Sequence, residues 1–182
     1  MNRIAQLDPK TSTGKSKQLF DAVQQKMGVV PNLVRVLGQA PAALDGYLAF
    51  SGALSQGGLN AKLREQLALT VAETNMCDYC LSAHSFIGSR LGLGATEIDA
   101  ARNASASDTK SDAVLKLARS IVLQRGEITD AELSSARAAG LGDGEIIETV
   151  ANVALNIFTN YVNHVARTVV DFPALKPVAA PA

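Results

Sequence analysis

Residues 63–93 read LREQLALTVAETNMCDYCLSAHSFIGSRLGL and hold the strongest structural signal in the chain. The stretch has no proline and is rich in Ala, Leu, Glu, Gln and Arg, whose side chains favour helices. We expect one helix to continue through Glu73 and the pair at 75–76, Asn-Met, to interrupt it. A second helix is expected to run past the cysteines to about Arg90 and to end at the Gly-Leu-Gly of 92–94. The stretch therefore predicts two consecutive helices joined by a short turn.

The same composition extends to both sides of this stretch. No proline falls in 42–172, and proline breaks helix interiors, so helices are predicted throughout. No segment shows convincing two-residue alternation, and the predicted fold class is all-α. Capping residues and apolar spacing indicate the further helices: one ending at Gly28, one from Pro41 to Gly57, one capped by Asn60, a short one capped by Thr96, one over 111–125, one from Thr129 to Gly140, and a long one over 143–170.

The composition limits the class of protein. With 182 residues, 47% hydrophobic and 19% charged, the chain suits one globular domain over 1–182, with a core at about 12–172 and extended tails at 1–11 and 173–182. The formal net charge is zero, so no basic excess favours nucleic acid. We see no signal peptide, and the least polar stretch, 149–162, is too short for a bilayer. We therefore expect a cytoplasmic protein with no membrane or nucleic-acid partner.

Two cysteines and a histidine carry the chemistry of the central stretch. Cys77, Cys80 and His84 fall on one face of a helix, and residues three apart come within about 5–6 Å, which a disulfide accepts. If the helix begins at Cys77, free amides there favour a thiolate, and His84 can take a thiol proton. A carboxylate usually orients such an imidazole, and Glu65 and Glu73 are the local candidates.

Two other interpretations of the cysteines are open. They could be buried and unreactive, as many free cysteines are. They could also bind zinc, because Cys77, Cys80, His84 and His164 would supply four ligands. The step of four residues from Cys80 to His84 suits a thiol–base pair equally well and needs no distant partner. We therefore predict a redox site with no metal and no cofactor.

The spacing of the site residues carries a family resemblance. Cys77 follows Glu65 by twelve residues, Cys80 comes three later and His84 four beyond that. This E-x11-CxxC-x3-H pattern resembles the alkylhydroperoxidase AhpD-like core of the carboxymuconolactone decarboxylase superfamily, most clearly over 63–93. Two flanking segments resemble its peroxidase-related branch: VPN at 30–32 and NYVNH at 160–164. The resemblance implies an all-α AhpD-like helical bundle that assembles as a homo-oligomer, a trimer or hexamer.

The resemblance also implies a thiol-dependent (alkyl) hydroperoxidase with a site of Glu65, Cys77, Cys80 and His84. Cys80 would attack a small hydroperoxide, with His84 and Glu65 as proton relay, and Cys77 would resolve the sulfenic acid as a disulfide. A dithiol reductant protein of the lipoyl or thioredoxin type would then restore the thiols. Because a CxxC at a helix N-terminus often makes its first cysteine the more acidic one, Cys77 stays open as the attacker.

Two alternative functions stay open at this point. One is an enzyme like carboxymuconolactone decarboxylase, although lactone decarboxylation does not require a CxxC pair. The other is a non-enzymatic, redox-sensing oligomeric module in which the same thiols only switch state. Repeated turnover of a hydroperoxide distinguishes an enzyme from a sensor.

Tyr79 and His164 are the accessory candidates of this site, and a row of amides on the last helix is a third feature. Tyr79 stands where the best-known AhpD pattern has histidine, and a phenol is a poor proton shuttle near neutral pH. His164 has the spacing of a hydrogen-bonded histidine on a packed helix face more than that of a catalyst. The long last helix also bears a row of amides that need partners, at a subunit interface or around a polar cavity: Asn152, Asn156, Asn160 and Asn163.

Overall fold

A computed structural model describes residues 2–178 of the chain, and these contain nine α-helices and no β-strand. The all-α prediction is confirmed. The helices are α1 (Gly14–Met27), α2 (Asn32–Leu37), α3 (Pro41–Leu54), α4 (Ala61–Thr74), α5 (Asp78–Arg90), α6 (Ala95–Arg102), α7 (Thr109–Gln124), α8 (Asp130–Ala138) and α9 (Asp143–Ala166).

Helix α4 is the centre of the bundle. It packs against α5, α6, α7 and α9. Its residues from Gln66 to Ala72 are all buried, and Leu67, Leu69 and Val71 have no exposed surface. These seven residues are apolar except for Gln66 and Thr70 and cover every side of the helix, so this part of α4 must be enclosed on every side. Consequently, a side chain at almost any position of α4 faces the protein interior.

Most helix starts agree with the predictions because capping is local. The Asn60 side chain accepts the amide of Leu63 at 3.0 Å, and Thr129 forms the predicted capping box with Glu132. The cap predicted at Thr96 is wrong: α6 begins at Ala95, because the Glu97 carboxylate reaches back to the amide of Gly94 at 2.8 Å.

Three boundaries differ from the sequence predictions, and one helix was not predicted. Helix α7 begins at Thr109 and not at 111, because Asp108 caps the amide of Ser111 at 2.9 Å. Helix α3 ends at Leu54, before the two glycines. Helix α9 ends at Ala166 and not at 170, since Arg167 has the left-handed φ of 48° that terminates helices. Helix α2 was not predicted at all, because six residues are too short to show a period.

The described segments before α1 and after α9 lack regular secondary structure but contact the bundle. Near the N-terminus, the amide of Arg3 donates to the carbonyl of Ala166 at 2.7 Å. Near the C-terminus, the amide of Leu175 donates to Ser82 Oγ at 2.9 Å, and that of Val178 donates to Glu73 Oε1 at 2.6 Å. Of the tails predicted at 1–11 and 173–182, Met1 and 179–182 lie outside the described residues, and the domain limits stay a prediction. No helix in 2–178 has the length and hydropathy needed to cross a bilayer.

Candidate active site

The turn between α4 and α5 positions the first cysteine. Helix α4 ends at Thr74, and Met76 takes a left-handed φ of 57°, so the predicted interruption at 75–76 is confirmed. Cys77 is the N-cap of α5, and its sulfur accepts the amide of Cys80 at 3.4 Å. His164 Nε2 lies 2.9 Å from the carbonyl oxygen of Asn75 and donates to it. The turn is therefore held from α9 as well as from its own helices.

The two thiols are free, buried and in contact. Cys77 and Cys80 expose 1% and 2% of their surfaces. The pKa of Cys80 is lowered from 9.0 to about 7, chiefly because the Cys77 thiol donates a hydrogen bond to its sulfur. The nearby His84 adds to this lowering, while burial opposes it. The pKa of Cys77 is raised, because it is the donor in the same hydrogen bond and is buried. The thiolate therefore belongs on Cys80.

A histidine–carboxylate pair lies beside Cys80. His84 Nδ1 donates to Glu65 Oε2 at 2.8 Å, and their side chains are 21% and 17% exposed. Burial lowers the pKa of His84, but the carboxylate of Glu65 and the charge of Cys80 outweigh it, so the pKa is raised overall. The contact fixes the proton on Nδ1 and leaves Nε2 as the free ring nitrogen. Glu73, the other local candidate, instead accepts from Arg102 Nε at 2.7 Å.

Amides from α9 complete the surroundings of the reactive sulfur. Asn163 Nδ2 donates to Cys80 Sγ at 3.2 Å, and Asn160 also lowers the pKa of that thiol. Asn160 Oδ1 accepts from Asn75 Nδ2 at 2.9 Å, which links α9 to the turn. All four asparagines of the row are buried inside the subunit. Sequence reasoning noted the row but did not connect it to Cys80.

We expect Asn163→Leu to make Cys80 less acidic. A hydrogen bond to a charged group is worth about 1.5–3 kcal/mol, so its loss should raise the pKa of Cys80 by about one to two. The measurement is the pH dependence of iodoacetamide alkylation in a Cys77→Ser background, which leaves a single thiol. Asn152→Leu is the matched control, because Asn152 lies three turns away and donates to the carbonyl of Glu148. An unchanged pKa in Asn163→Leu would contradict a role for this amide.

A cavity of about 480 Å³ opens onto Cys80, Glu65 and His84. Its wall is mainly apolar and is formed by α1, α2, α3, α4, α5, α9 and Phe172. Tyr47 also lines it, and burial, together with the charges of Cys80 and Glu65, raises the pKa of this phenol to about 12. Sequence reasoning missed Tyr47, because only the packing of α3 brings it to the site.

The two predicted accessory residues have other environments. Tyr79 is buried, its hydroxyl accepts the amide of Leu33 at 3.0 Å, and its ring meets Phe172 edge-on at 5.8 Å. It thus anchors α2 and the C-terminal segment to α5. His164 is exposed and engaged with the turn. Within 2–178 no cluster of three or more His, Cys, Asp or Glu side chains could hold a metal, so the four-ligand zinc set is not assembled.

Comparisons with known proteins agree with the motif. Residues 41–119 match the model of the carboxymuconolactone decarboxylase family. An uncharacterized protein of Haemophilus influenzae is 46% identical over 48 residues, which are 26% of this chain and 42% of that protein. The chain thus matches less than half of the length of this curated relative.

Solved structures share the fold over nearly the whole chain. An AhpD-core, peroxidase-related protein from Ralstonia eutropha JMP134 has a TM-score of 0.81 and 22% identity, covering 93% of this chain and 92% of that one. The debrominase Bmp8, solved in complex with 2,3,4-tribromopyrrole, has a TM-score of 0.79 and 17% identity, covering 93% and 91%. The chain thus carries the motif, matches the carboxymuconolactone decarboxylase family model over residues 41–119, and shares its fold with these proteins.

Proposed function

We propose that the protein is a thiol-dependent hydroperoxidase that uses Cys77 and Cys80 as a dithiol–disulfide pair. The proposal rests on one arrangement: an acidified Cys80 that contacts a second thiol and lies beside the His84–Glu65 pair. Peroxide reduction by a thiol needs a thiolate, a proton donor for the departing oxygen and a resolving thiol. Each of these requirements has a candidate side chain here.

The first step oxidises Cys80. His84 takes the Cys80 proton, and the thiolate attacks the terminal oxygen of the hydroperoxide ROOH. The S–O bond forms as the O–O bond breaks, and the departing alkoxide takes the proton from His84 to become the alcohol ROH. The sulfur loses two electrons to the peroxide and becomes a sulfenic acid.

The next two steps return the site to its starting state. The Cys77 sulfur attacks the sulfenic sulfur of Cys80, the S–S bond forms, and the hydroxyl leaves with the Cys77 proton as water. A dithiol protein then reduces this disulfide by exchange and becomes a disulfide itself. We propose a donor of the lipoyl or thioredoxin type, which a reducing compartment such as the cytoplasm supplies.

The test is steady-state consumption of hydroperoxide with dihydrolipoamide or reduced thioredoxin as donor. We expect many turnovers per chain, and none from the Cys77→Ser, Cys80→Ser double variant. Oxidation of one equivalent of protein without turnover, under both donors, would favour the redox-sensing module. No oxidation of the thiols by hydroperoxide would overturn the proposal.

Reductive dehalogenation is a second candidate, and the cavity favours it. About 480 Å³ with aromatic side chains suits a ring compound as well as a hydroperoxide. The Cys80 thiolate would take the halogen X of an aryl halide, the carbon would gain the His84 proton, and Cys77 would release X⁻ as the disulfide forms. Bromide release from tribromopyrrole with a dithiol donor, measured beside hydroperoxide consumption, ranks the two reactions. The thiols argue against lactone decarboxylation, which does not require them.

We also propose that the protein is a homo-oligomer that pairs through α9. Five large apolar side chains, each 38–66% exposed, form one stripe over five turns of this helix: Ile147, Val150, Phe158, Tyr161 and Val165. Such a stripe on a surface helix usually meets a partner. Light scattering should give more than one chain per particle and a shift toward monomer in Val165→Glu. Leu123→Glu, at an exposed apolar site on α7, is the control, and a monomeric native protein would contradict the proposal.

A further inference from the structure

The cavity is lined by one carboxylate that has a partner and by two cations that have no carboxylate partner among the described residues. Glu65 is held by His84 at 2.8 Å, which leaves Lys26 and Arg64 as the other charged side chains of the lining. Neither cation lies within 4.0 Å of a carboxylate belonging to the described part of the chain. A mainly apolar cavity with two uncompensated cations favours a ligand that is apolar along its body and negatively charged at one point.

Arg64 lies at the end of the cavity formed by the α3–α4 loop. Its guanidinium donates to the carbonyl of Leu59. The amide of Leu59 donates to the carboxylate of Glu148, whose carbonyl in turn accepts from Asn152 Nδ2 at 2.8 Å. Arg64 and Asn152 are therefore at the same end. Glu148 is acidic, but its two oxygens accept the amides of Gly58 and Leu59, and it does not line the cavity.

Lys26 is the second cation of the lining. Lys15 pairs with Asp45 at 3.0 Å, so α1 and α3 begin side by side. Both helices contribute their C-terminal halves to the lining, with Lys26 in the last turn of α1 and Ser55 directly after the last turn of α3. Ser55 leads into the loop that carries Leu59, the partner of Arg64. The packing of α1 beside α3 therefore brings both cations into the lining of one cavity.

Cys80 lies at the opposite end. It accepts a hydrogen bond from Asn163, and the lining residues of α9 run from Asn152, at the Arg64 end of the cavity, to Thr159, near Cys80. Seven residues of helix correspond to about 10 Å. Between the two ends the wall is apolar, with Leu48, Ala68 and Leu155.

We infer that the cavity binds an organic hydroperoxide that also bears a carboxylate. The carboxylate lies between Lys26 and Arg64, the hydrocarbon follows the apolar wall, and the peroxide group reaches Cys80 and His84 about 10 Å away. This inference rests on the proposed hydroperoxidase function. A substrate of this kind differs from hydrogen peroxide, which would fill only a small part of the cavity and has no charge for the two cations to bind.

Binding is tested first, without any redox chemistry. Decanoate, an unreactive carboxylate, should bind the native protein at least about tenfold more tightly than methyl decanoate, as measured by calorimetry. Lys26→Met and Arg64→Met should each remove most of this preference. Arg64→Lys keeps the positive charge and should retain the preference for decanoate. Retained binding by this variant shows that a substitution at position 64 leaves the protein folded. Lys62→Met is the control, because Lys62 lies on α4 outside the lining and donates to the carbonyl of Gly92.

Turnover then separates this inference from the function on which it rests. With a hydroperoxy fatty acid and its methyl ester, kcat/KM should favour the acid about tenfold in the native protein and not in Lys26→Met. The rate with tert-butyl hydroperoxide should be the same in the native protein and in the control variant Lys62→Met. Equal binding and equal turnover of acid and ester would overturn the inference and leave the hydroperoxidase proposal standing. Preferred binding of decanoate without turnover of any hydroperoxide would overturn the proposed function and, with it, the assignment of the ligand as a peroxide.

Discussion

Cys80→Ser is expected to abolish the first reaction with hydroperoxide, and Cys77→Ser to react once and stop. Cys80 is the thiol that its neighbours acidify, whereas the pKa of Cys77 is raised. Without Cys80 the acidified thiol is missing, so peroxide consumption should fall toward the uncatalysed rate. Without Cys77 the sulfenic acid on Cys80 has no resolving partner and should persist. Rapid mixing with one equivalent of peroxide, followed by dimedone trapping and mass spectrometry, measures both outcomes.

The controls for this experiment distinguish the roles from the enzyme class. Ser89→Ala changes an exposed residue of the same helix and should leave the rate unchanged. If Cys77→Ser were inactive and Cys80→Ser gave one turnover, the two cysteines would exchange roles and the function would stand. If both variants kept full reactivity with peroxide, the assignment of Cys77 and Cys80 as a redox site would be wrong.

The fold was predictable where the signals are local. Helix starts at Asn60 and Thr129 depend on side chains within three residues, and the break at 75–76 depends on the turn itself. The prediction of Thr96 as N-cap failed because the Glu97 carboxylate accepts the amide of Gly94, which makes Gly94 the N-cap. The sequence did not distinguish between these two neighbouring cap positions. Helix α2 was not predictable, because its six residues are too few to show a helical period.

The site was predictable only along one helix. Cys77, Cys80 and His84 follow from their spacing on α5, and the family resemblance added Glu65 from α4. Asn163 could not be inferred in the same way. It is 83 residues from Cys80, and the sequence alone does not say which face of α9 meets α5. The buried amides of this helix were visible as a row, but their direction depends on tertiary packing.

The tyrosine at position 79 shows what a departure from the family pattern can mean. Its phenol has a raised pKa, mainly because it is buried, and its hydroxyl accepts the amide of Leu33. A group so placed holds α2 in position and does not exchange protons near neutral pH. The proposed proton relay therefore uses His84 and Glu65 and does not include Tyr79.

His84→Ala is expected to slow the attack on peroxide by roughly a hundredfold at pH 7, the usual cost of losing a positioned base. In the native protein Cys80 has a lowered pKa of about 7, so its thiolate forms at lower pH than that of an ordinary thiol, and the rate should rise with pH through about 7. His84 has a raised pKa and keeps its proton to higher pH than an ordinary imidazole. Above that pKa the alkoxide loses its proton donor, so the rate should fall again and the profile should be bell-shaped.

The variants should change the two limbs of this profile differently. In His84→Ala the rising limb should move toward pH 9, because the charge that helps to acidify Cys80 is gone, and the falling limb should disappear. Glu65→Gln should cost less, since it only removes the charge that raises the pKa of His84, and should move the falling limb to lower pH. Glu73→Gln is the matched control, because this partly buried glutamate of α4 pairs with Arg102 and not with His84. Stopped-flow rates in a Cys77→Ser background give the profiles, and identical profiles for Glu65→Gln and the native protein would remove Glu65 from the relay.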